Sequence, residues 1–296
     1  MPYFNFQYFN QRLSNTLIGT ILLILTYLFF SVMELTAKEL ALRFNPFLIV
    51  FARYLSQLIL LLIIFNKQFK THLKSNHKPL QILRGALLMI TTCFMFTGLA
   101  YLQFAENISI YMIGPVITTI LAILILKEKI SFTQILVVII GLVGALIIAS
   151  PNKGAFNYAI IFPFLAAFCF AFFTISTKFL NTSDSNQTTL LFTAITGTIL
   201  SLPFIIYFWK WPNLYDTLLM FCLGFLATAG HFLFIEALKV INASFAAPFV
   251  YLTVLLAAFW GYILYNEVPS QNTFIGAFLI ITSGFIITRF RKKNLK

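Results

Sequence analysis

Ten runs of roughly 20 predominantly apolar residues, joined by short polar connections, constrain this 296-residue chain more than any other feature. Each run is long enough to cross a hydrocarbon layer of about 30 Å as an α-helix. A membrane β-barrel would show short alternating segments, and a soluble domain would carry roughly a quarter charged residues. Here the charged share is 9% and the mean hydropathy is +0.93. The chain therefore reads as an all-α integral membrane protein. The expected spans are Thr16–Lys38, Pro46–Phe65, Leu80–Leu99, Ala105–Leu126, Ser131–Ala149, Tyr158–Lys178, Thr188–Trp209, Leu214–Leu238, Ala243–Tyr265 and Asn272–Arg289. They leave an N-terminal tail at 1–15, two five-helix units at 16–149 and 158–289, and a basic tail at 290–296.

The two units echo each other. Pro248 stands near the start of an apolar run, read as one helix, that stops at Glu267; Pro115 stands in a run that stops at Glu128. Lys38 matches Lys178 and Gly144 matches Gly284, each pair 140 residues apart. Self-similarity at half the chain length predicts two homologous repeats. Five spans per repeat is an odd number, so the second must enter the membrane inverted.

Orientation follows from lysine and arginine. With the N-terminus cytoplasmic, one side holds Arg12, Lys67, Lys70, Lys74, Lys78, Arg84, Lys127, Lys129, Lys178, Lys239 and the basic C-terminus from Arg289 to Lys296. Only Lys38, Arg43, Arg53, Lys153 and Lys210 fall on the other, so both termini are expected in the cytoplasm. The net charge of +12 is accounted for by this loop asymmetry, and no nucleic-acid partner is expected. The first span is too long for the apolar core of a cleavable signal. Cys93, Cys169 and Cys222 lie within spans without metal spacing, so neither a metal nor a cofactor is expected.

A charge inside a span costs roughly 2.5–3.5 kcal/mol on insertion scales, which makes each one a functional candidate. Glu34 sits late in the first span with Lys38 one turn on; the two either pair at the interface or form a gate or substrate contact. Arg53 either clamps a substrate carboxylate or neutralises Glu34 or Glu106. Glu106 opens the fourth span as a helix cap or a binding residue. In the eighth span His231 is a packing residue or a proton carrier. Glu236, about 140° further round that helix, is the better candidate for proton coupling. Glu128 and Glu267 end helices, where the dipole disfavours a carboxylate, so backbone amides of neighbouring loops are expected to hold them as structural ties. Pro115 and Pro248 each free a carbonyl, as hinges or as static kinks.

With these residues in place, the chain resembles the drug/metabolite transporter superfamily in its EamA-like bacterial branch. The resemblance covers Leu17 to Thr288. It rests on Leu102-Gln103-Phe104-Ala105-Glu106 leading to Pro115 and Glu128, and on Ala246-Ala247-Pro248-Phe249-Val250-Tyr251 leading to Trp260-Gly261 and Glu267. Arg53-Tyr54 and Arg84-Gly85 also match, whereas Glu236 stands where many relatives carry a basic or neutral residue. The resemblance implies ten helices around a cavity shared by both halves and lined by the fourth and ninth. Tyr101, Tyr111, Tyr251 and Trp260 either line such a cavity or are packing or lipid-facing residues. It places the fifth and tenth helices outside, where a homodimer contact is open.

The function expected from this is secondary transport across the cytoplasmic membrane by alternating access, proton-coupled or by exchange. The solute would be a small polar or zwitterionic metabolite: an amino acid or derivative, a nucleoside-like metabolite such as S-adenosylmethionine, or a vitamin. A flippase or exporter of hydrophobic solutes is the alternative. GxxxxGK[ST] is absent, so an ion gradient or exchange rather than ATP would drive transport. An intramembrane enzyme is remote, because HExxH and GxSxG are absent and no aspartate pair lies within the spans.

Overall fold

The computed structural model describes residues 15–102, 104–149, 158–265 and 271–293, and among them there is no strand. Helices satisfy backbone groups internally, as hydrocarbon requires. They are α1 (Asn15–Ala41), α2 (Pro46–Phe65), α3 (Lys78–Tyr101), α4 (Phe104–Tyr111), α5 (Gly114–Leu124), α6 (Phe132–Ala149), α7 (Ile161–Leu180), α8 (Asn186–Phe208), α9 (Leu214–Val240), α10 (Ala243–Ala246), α11 (Leu252–Tyr265) and α12 (Gln271–Lys293). Seven stretches, Asn15–Ala41, Pro46–Phe65, Lys78–Gly98, Tyr158–Leu180, Asn186–Phe208, Leu214–Val240 and Ala243–Leu264, are long and apolar enough to cross a membrane. Shorter apolar helices cover Gly114–Leu124, Phe132–Ile147 and Phe274–Ser283.

Two spans differ from the continuous helices expected of them, and for the same reason. The fourth is broken between α4 and α5, where Pro115 takes an early position of the second piece. The ninth runs from α10 through a 3₁₀ stretch, Ala247–Tyr251, that contains Pro248 before α11 resumes. A proline inside a helix removes one hydrogen bond and clashes with the carbonyl a turn earlier, and the chain answers with a break or a tighter winding.

Polar caps fix where helices begin. Asn45 accepts from the Phe47 amide at 3.0 Å ahead of Pro46, and Asn213 accepts from the Asp216 amide at 2.8 Å. Between spans the packing is close where residues are small, since van der Waals contact rather than hydrophobicity joins helices in lipid. A Cβ on Gly224 of α9 would stand 2.5 Å from the Ser56 Cβ and 2.6 Å from the Gln57 nitrogen of α2. A Cβ on Gly85 of α3 would stand 2.8 Å from the Thr196 Cβ of α8.

The main packing partners are α1 with α9, α3 with α7, α2 with both α8 and α9, α3 with α8, and α6 with α12. The last pair stands outside the bundle and exposes Ile135, Ile139, Val143, Phe274, Phe278 and Ile281, an apolar surface suited to lipid. Ion pairs and caps label the two ends. At one, Arg43 meets Asp216 at 2.9 Å and Lys210 donates to the Arg43 carbonyl at 3.0 Å. The other carries the 66–77, 125–131 and 181–185 connections.

Candidate functional site

Buried among α1, α2, α3, α4, α7, α9 and the start of α11 is a cavity enclosing about 750 Å³ of space, including its open part. Residues of both sequence halves form its wall. Aromatic rings dominate: Tyr27 and Phe30 from α1, Tyr111 from α4 and Phe170 from α7, with Met33, Met95 and Phe96 between them. Three ionisable side chains interrupt this apolar lining: Glu34, Arg53 and His231.

Arg53 lies only 1% exposed, yet it belongs to α2, an otherwise apolar helix. A buried guanidinium must find acceptors, and here they come from two other helices. Its Nη1 donates to the Thr92 hydroxyl at 2.6 Å, and its Nη2 lies 2.8 Å from His231 Nε2. Because arginine only donates, His231 accepts at Nε2 and is the neutral imidazole protonated at Nδ1. The guanidinium also stacks 4.6 Å from the Tyr54 ring centre. One cation thus joins α2 and α3 of the first half to α9 of the second. The Arg53 Nε and His231 Nδ1 atoms are buried without partners among the described residues.

Glu34 is different. It is half-buried on α1 and faces the cavity, and no ion pair or hydrogen bond reaches its carboxylate among the described residues. The site therefore presents one fixed, largely satisfied cation, one carboxyl group without a partner among the described residues, and ring faces whose negative potential attracts cations.

The remaining candidates lie elsewhere. Tyr101, at the end of α3, is 67% exposed beside Phe162, because the last turn of α3 turns it away from the cavity. Tyr251 is fully buried, and its hydroxyl donates to the Val138 carbonyl at 3.0 Å; it packs into the gap left by Gly141 of α6. Trp260 donates to the Ser31 hydroxyl at 3.2 Å, tying α11 to α1 outside the cavity wall. Glu236 sits near the C-terminal end of α9, five residues past His231, where it accepts from Asn186 of α8 and meets Lys239 at 3.4 Å outside the cavity wall.

Glu128 follows α5 and accepts from the amides of Ala243 at 3.0 Å and Ser244 at 3.2 Å, which are unpaired donors at the start of α10. Lys178 donates to the Leu238 and Ile241 carbonyls at 2.7 and 2.6 Å, a cation at the C-terminus of α9. Lys38 occupies the last turn of α1. The side chain of Glu106 and all of Glu267 lie outside the described residues.

Arg84 was grouped with the loop charges, but it is fully buried between α3, α7 and α8. Its Nε donates to the Thr177 hydroxyl at 2.6 Å and its Nη1 to the Thr193 hydroxyl at 2.5 Å. The signal for it was the threonine content of the facing helices, which supplies acceptors inside lipid. Thr92, which fixes Arg53, was missed for the same reason.

Comparison with known proteins agrees with this architecture. The EamA-like transporter family model matches residues 17–150 and again 157–289. Similar curated proteins include the S-adenosylmethionine uptake transporter of Rickettsia bellii, 30% identical over 97% of this chain and 98% of that one. The S-adenosylmethionine uptake transporter of Rickettsia prowazekii is 28% identical over 97% of each chain, and the riboflavin transporter of Vibrio cholerae is 28% identical over 72% of each. A solved crystal structure covering 94% of this chain and 99% of its own superposes with a TM-score of 0.80 at 15% identity, which establishes a shared fold. The doubled family match and relatives spanning nearly the full length make the chain a multi-pass membrane transporter for a small metabolite, a member of the EamA-like family of the drug/metabolite transporter superfamily.

Proposed function

We propose that the solute is S-adenosylmethionine or a close nucleoside analogue carrying a cationic centre. The observation that carries this is Glu34, a carboxyl group without a partner among the described residues, in a largely apolar cavity with several aromatic rings. A sulfonium or ammonium group would neutralise it while lying against Tyr27, Phe30 or Tyr111, and a flat base would stack on the remaining rings. Arg53, held by Thr92 and His231, offers a donor to a carboxylate at the opposite pole of a zwitterion. Relatives named for S-adenosylmethionine uptake support the same class. Riboflavin, named for other relatives, shares the flat ring but has no cation for Glu34.

The transport route in this reading is alternating access through ten crossings, with the second five inverted and both termini cytoplasmic. The packing supports it. Shifting residue numbers by 139 turns Gly85 against Thr196 into Gly224 against Gln57, and it exchanges the α1–α9 contact with the α7–α3 contact. Such pairwise exchange supports two repeats related by a two-fold axis; with five spans per repeat that axis would lie in the membrane plane, with the solute held where the repeats meet. Helix breaks at Pro115 and Pro248 give each half a bending point beside the cavity.

Uptake of labelled S-adenosylmethionine into proteoliposomes tests the reading. Glu34→Gln is expected to lower it by about 10- to 100-fold, the worth of a charge-assisted contact, at unchanged insertion. Normal uptake by Glu34→Gln, or competition by riboflavin but not by cationic nucleosides, would refute the cationic-solute assignment.

A further inference from the structure

At the end carrying the 66–77 and 181–185 connections, a column of polar side chains descends from the loops towards the cavity floor. Asp184 heads it. Its Oδ1 accepts from the Asn76 amide at 3.0 Å, and its Oδ2 accepts from the Ser75 hydroxyl at 2.5 Å and from Gln81 Nε2 at 2.8 Å. Partial burial raises the pKa of Asp184, but these three donors outweigh it and hold the carboxyl below the usual range. Asn76 Nδ2 donates to the Ser183 carbonyl at 3.1 Å. One turn deeper, fully buried Gln81 also donates to the Thr189 hydroxyl at 3.1 Å. Below it lies Arg84, with Thr177 and Thr193, and the next turns of α3, Leu88 and Thr91, are already cavity wall. Every bond from Asp184 and Arg84 named here joins the first sequence half to the second.

At the other end, 139 residues on, Met220 answers Gln81 and Leu223 answers Arg84, so the column is not repeated there, although that end keeps the Arg43–Asp216 ion pair at 2.9 Å. There about 550 Å³ of space opens beside α2 and α9, lined by Leu48, Phe51, Met220 and Phe221 with Ser56, Lys210 and Thr217 among them. The contrast has a physical consequence. Parting an apolar interface exposes surface to water at a cost proportional to its area. Parting hydrogen-bonded polar groups exchanges their partners for water, at a modest net cost per bond that is larger where one partner is charged. A polar column of this kind suits a seal that opens and re-forms.

We propose that Asp184, Gln81 and Arg84 are positioning residues of a reversible latch that shuts the cavity at this end and parts once per transport cycle. The latch rests on the alternating-access reading above.

A reversible cross-link tests it. In a chain with Cys93, Cys169 and Cys222 replaced by serine, Asn76→Cys and Ser183→Cys place two thiols where the loops meet. Oxidation is expected to lower uptake by about tenfold or more, because opening becomes rate-limiting, and reduction to restore it. Full uptake by the cross-linked protein would overturn the latch, since loops that never part are not disturbed by a tie. A second readout separates the two hypotheses: labelling of Thr91→Cys, in the cavity wall, by a membrane-impermeant thiol reagent from each side. Labelling from both sides, with latch-side labelling blocked by the cross-link and raised by Asp184→Ala, supports both. Labelling from both sides that neither change affects overturns the latch and leaves alternating access standing. Labelling from one side only, with or without solute, overturns alternating access itself.

Discussion

Arg53→Leu will reduce uptake to background while the protein still inserts and folds. The substitution removes the cation that joins α2 to Thr92 of α3 and His231 of α9. It leaves a threonine hydroxyl and a neutral imidazole facing leucine, a buried loss of about 1–3 kcal/mol. A polytopic bundle with extensive packing tolerates a loss of that size, but the cavity wall loses both its charge and its fixed geometry. Arg53→Lys separates these two effects. Lysine restores the charge without the planar fork, so it should recover only part of the uptake and less than half of the lost stability. Chemical denaturation and proteoliposome uptake, run on the same preparations, check both. Equal uptake by Arg53→Leu and wild type would remove Arg53 from the site.

Gly224→Val is expected to be the most damaging substitution for the fold. The obstruction at 2.5–2.6 Å is made by the α2 backbone and the Ser56 Cβ, not by a side-chain tip that can swing aside. Valine therefore forces α9 away from α2, at a cost in the upper part of the roughly 1–3 kcal/mol range for overpacked cores or beyond it. It also disturbs the helix that carries His231. Gly224→Ala should show a smaller loss in the same direction. Detergent-extracted yield and thermal midpoint measure it, and a Gly224→Val protein as stable as wild type would contradict the close helix approach.

How much of this was legible in the sequence differs between the fold and the site. The membrane-helical class follows from apolar run length, and rarity of charge singled out Glu34, Arg53 and His231, all three of which stand in the cavity wall. The helix breaks were less legible, because propensity places a proline but does not say whether the chain kinks, winds to 3₁₀ or breaks. Facing was hardly legible at all. Lipid and protein interior are both apolar, so these helices lack the polar stripe that reveals the outer face of a soluble helix. That is why Tyr101, Tyr251 and Trp260 were grouped with Tyr111, although only Tyr111 lines the cavity. The burial of Arg84 was not legible, because a basic residue six positions into α3 speaks only for a membrane side unless the threonines of α7 and α8 are known to face it.

The most direct test of the central claim, that this cavity holds a cationic nucleoside metabolite, is the thermal midpoint of the purified protein titrated with S-adenosylmethionine. A ligand that binds only the folded state raises stability by mass action, by about 2.7 kcal/mol at a hundredfold excess over Kd. The account predicts a saturable rise in wild type, a much weaker one in Glu34→Gln, and none in Arg53→Leu. A flat titration in wild type, or an identical rise in all three proteins, would contradict it.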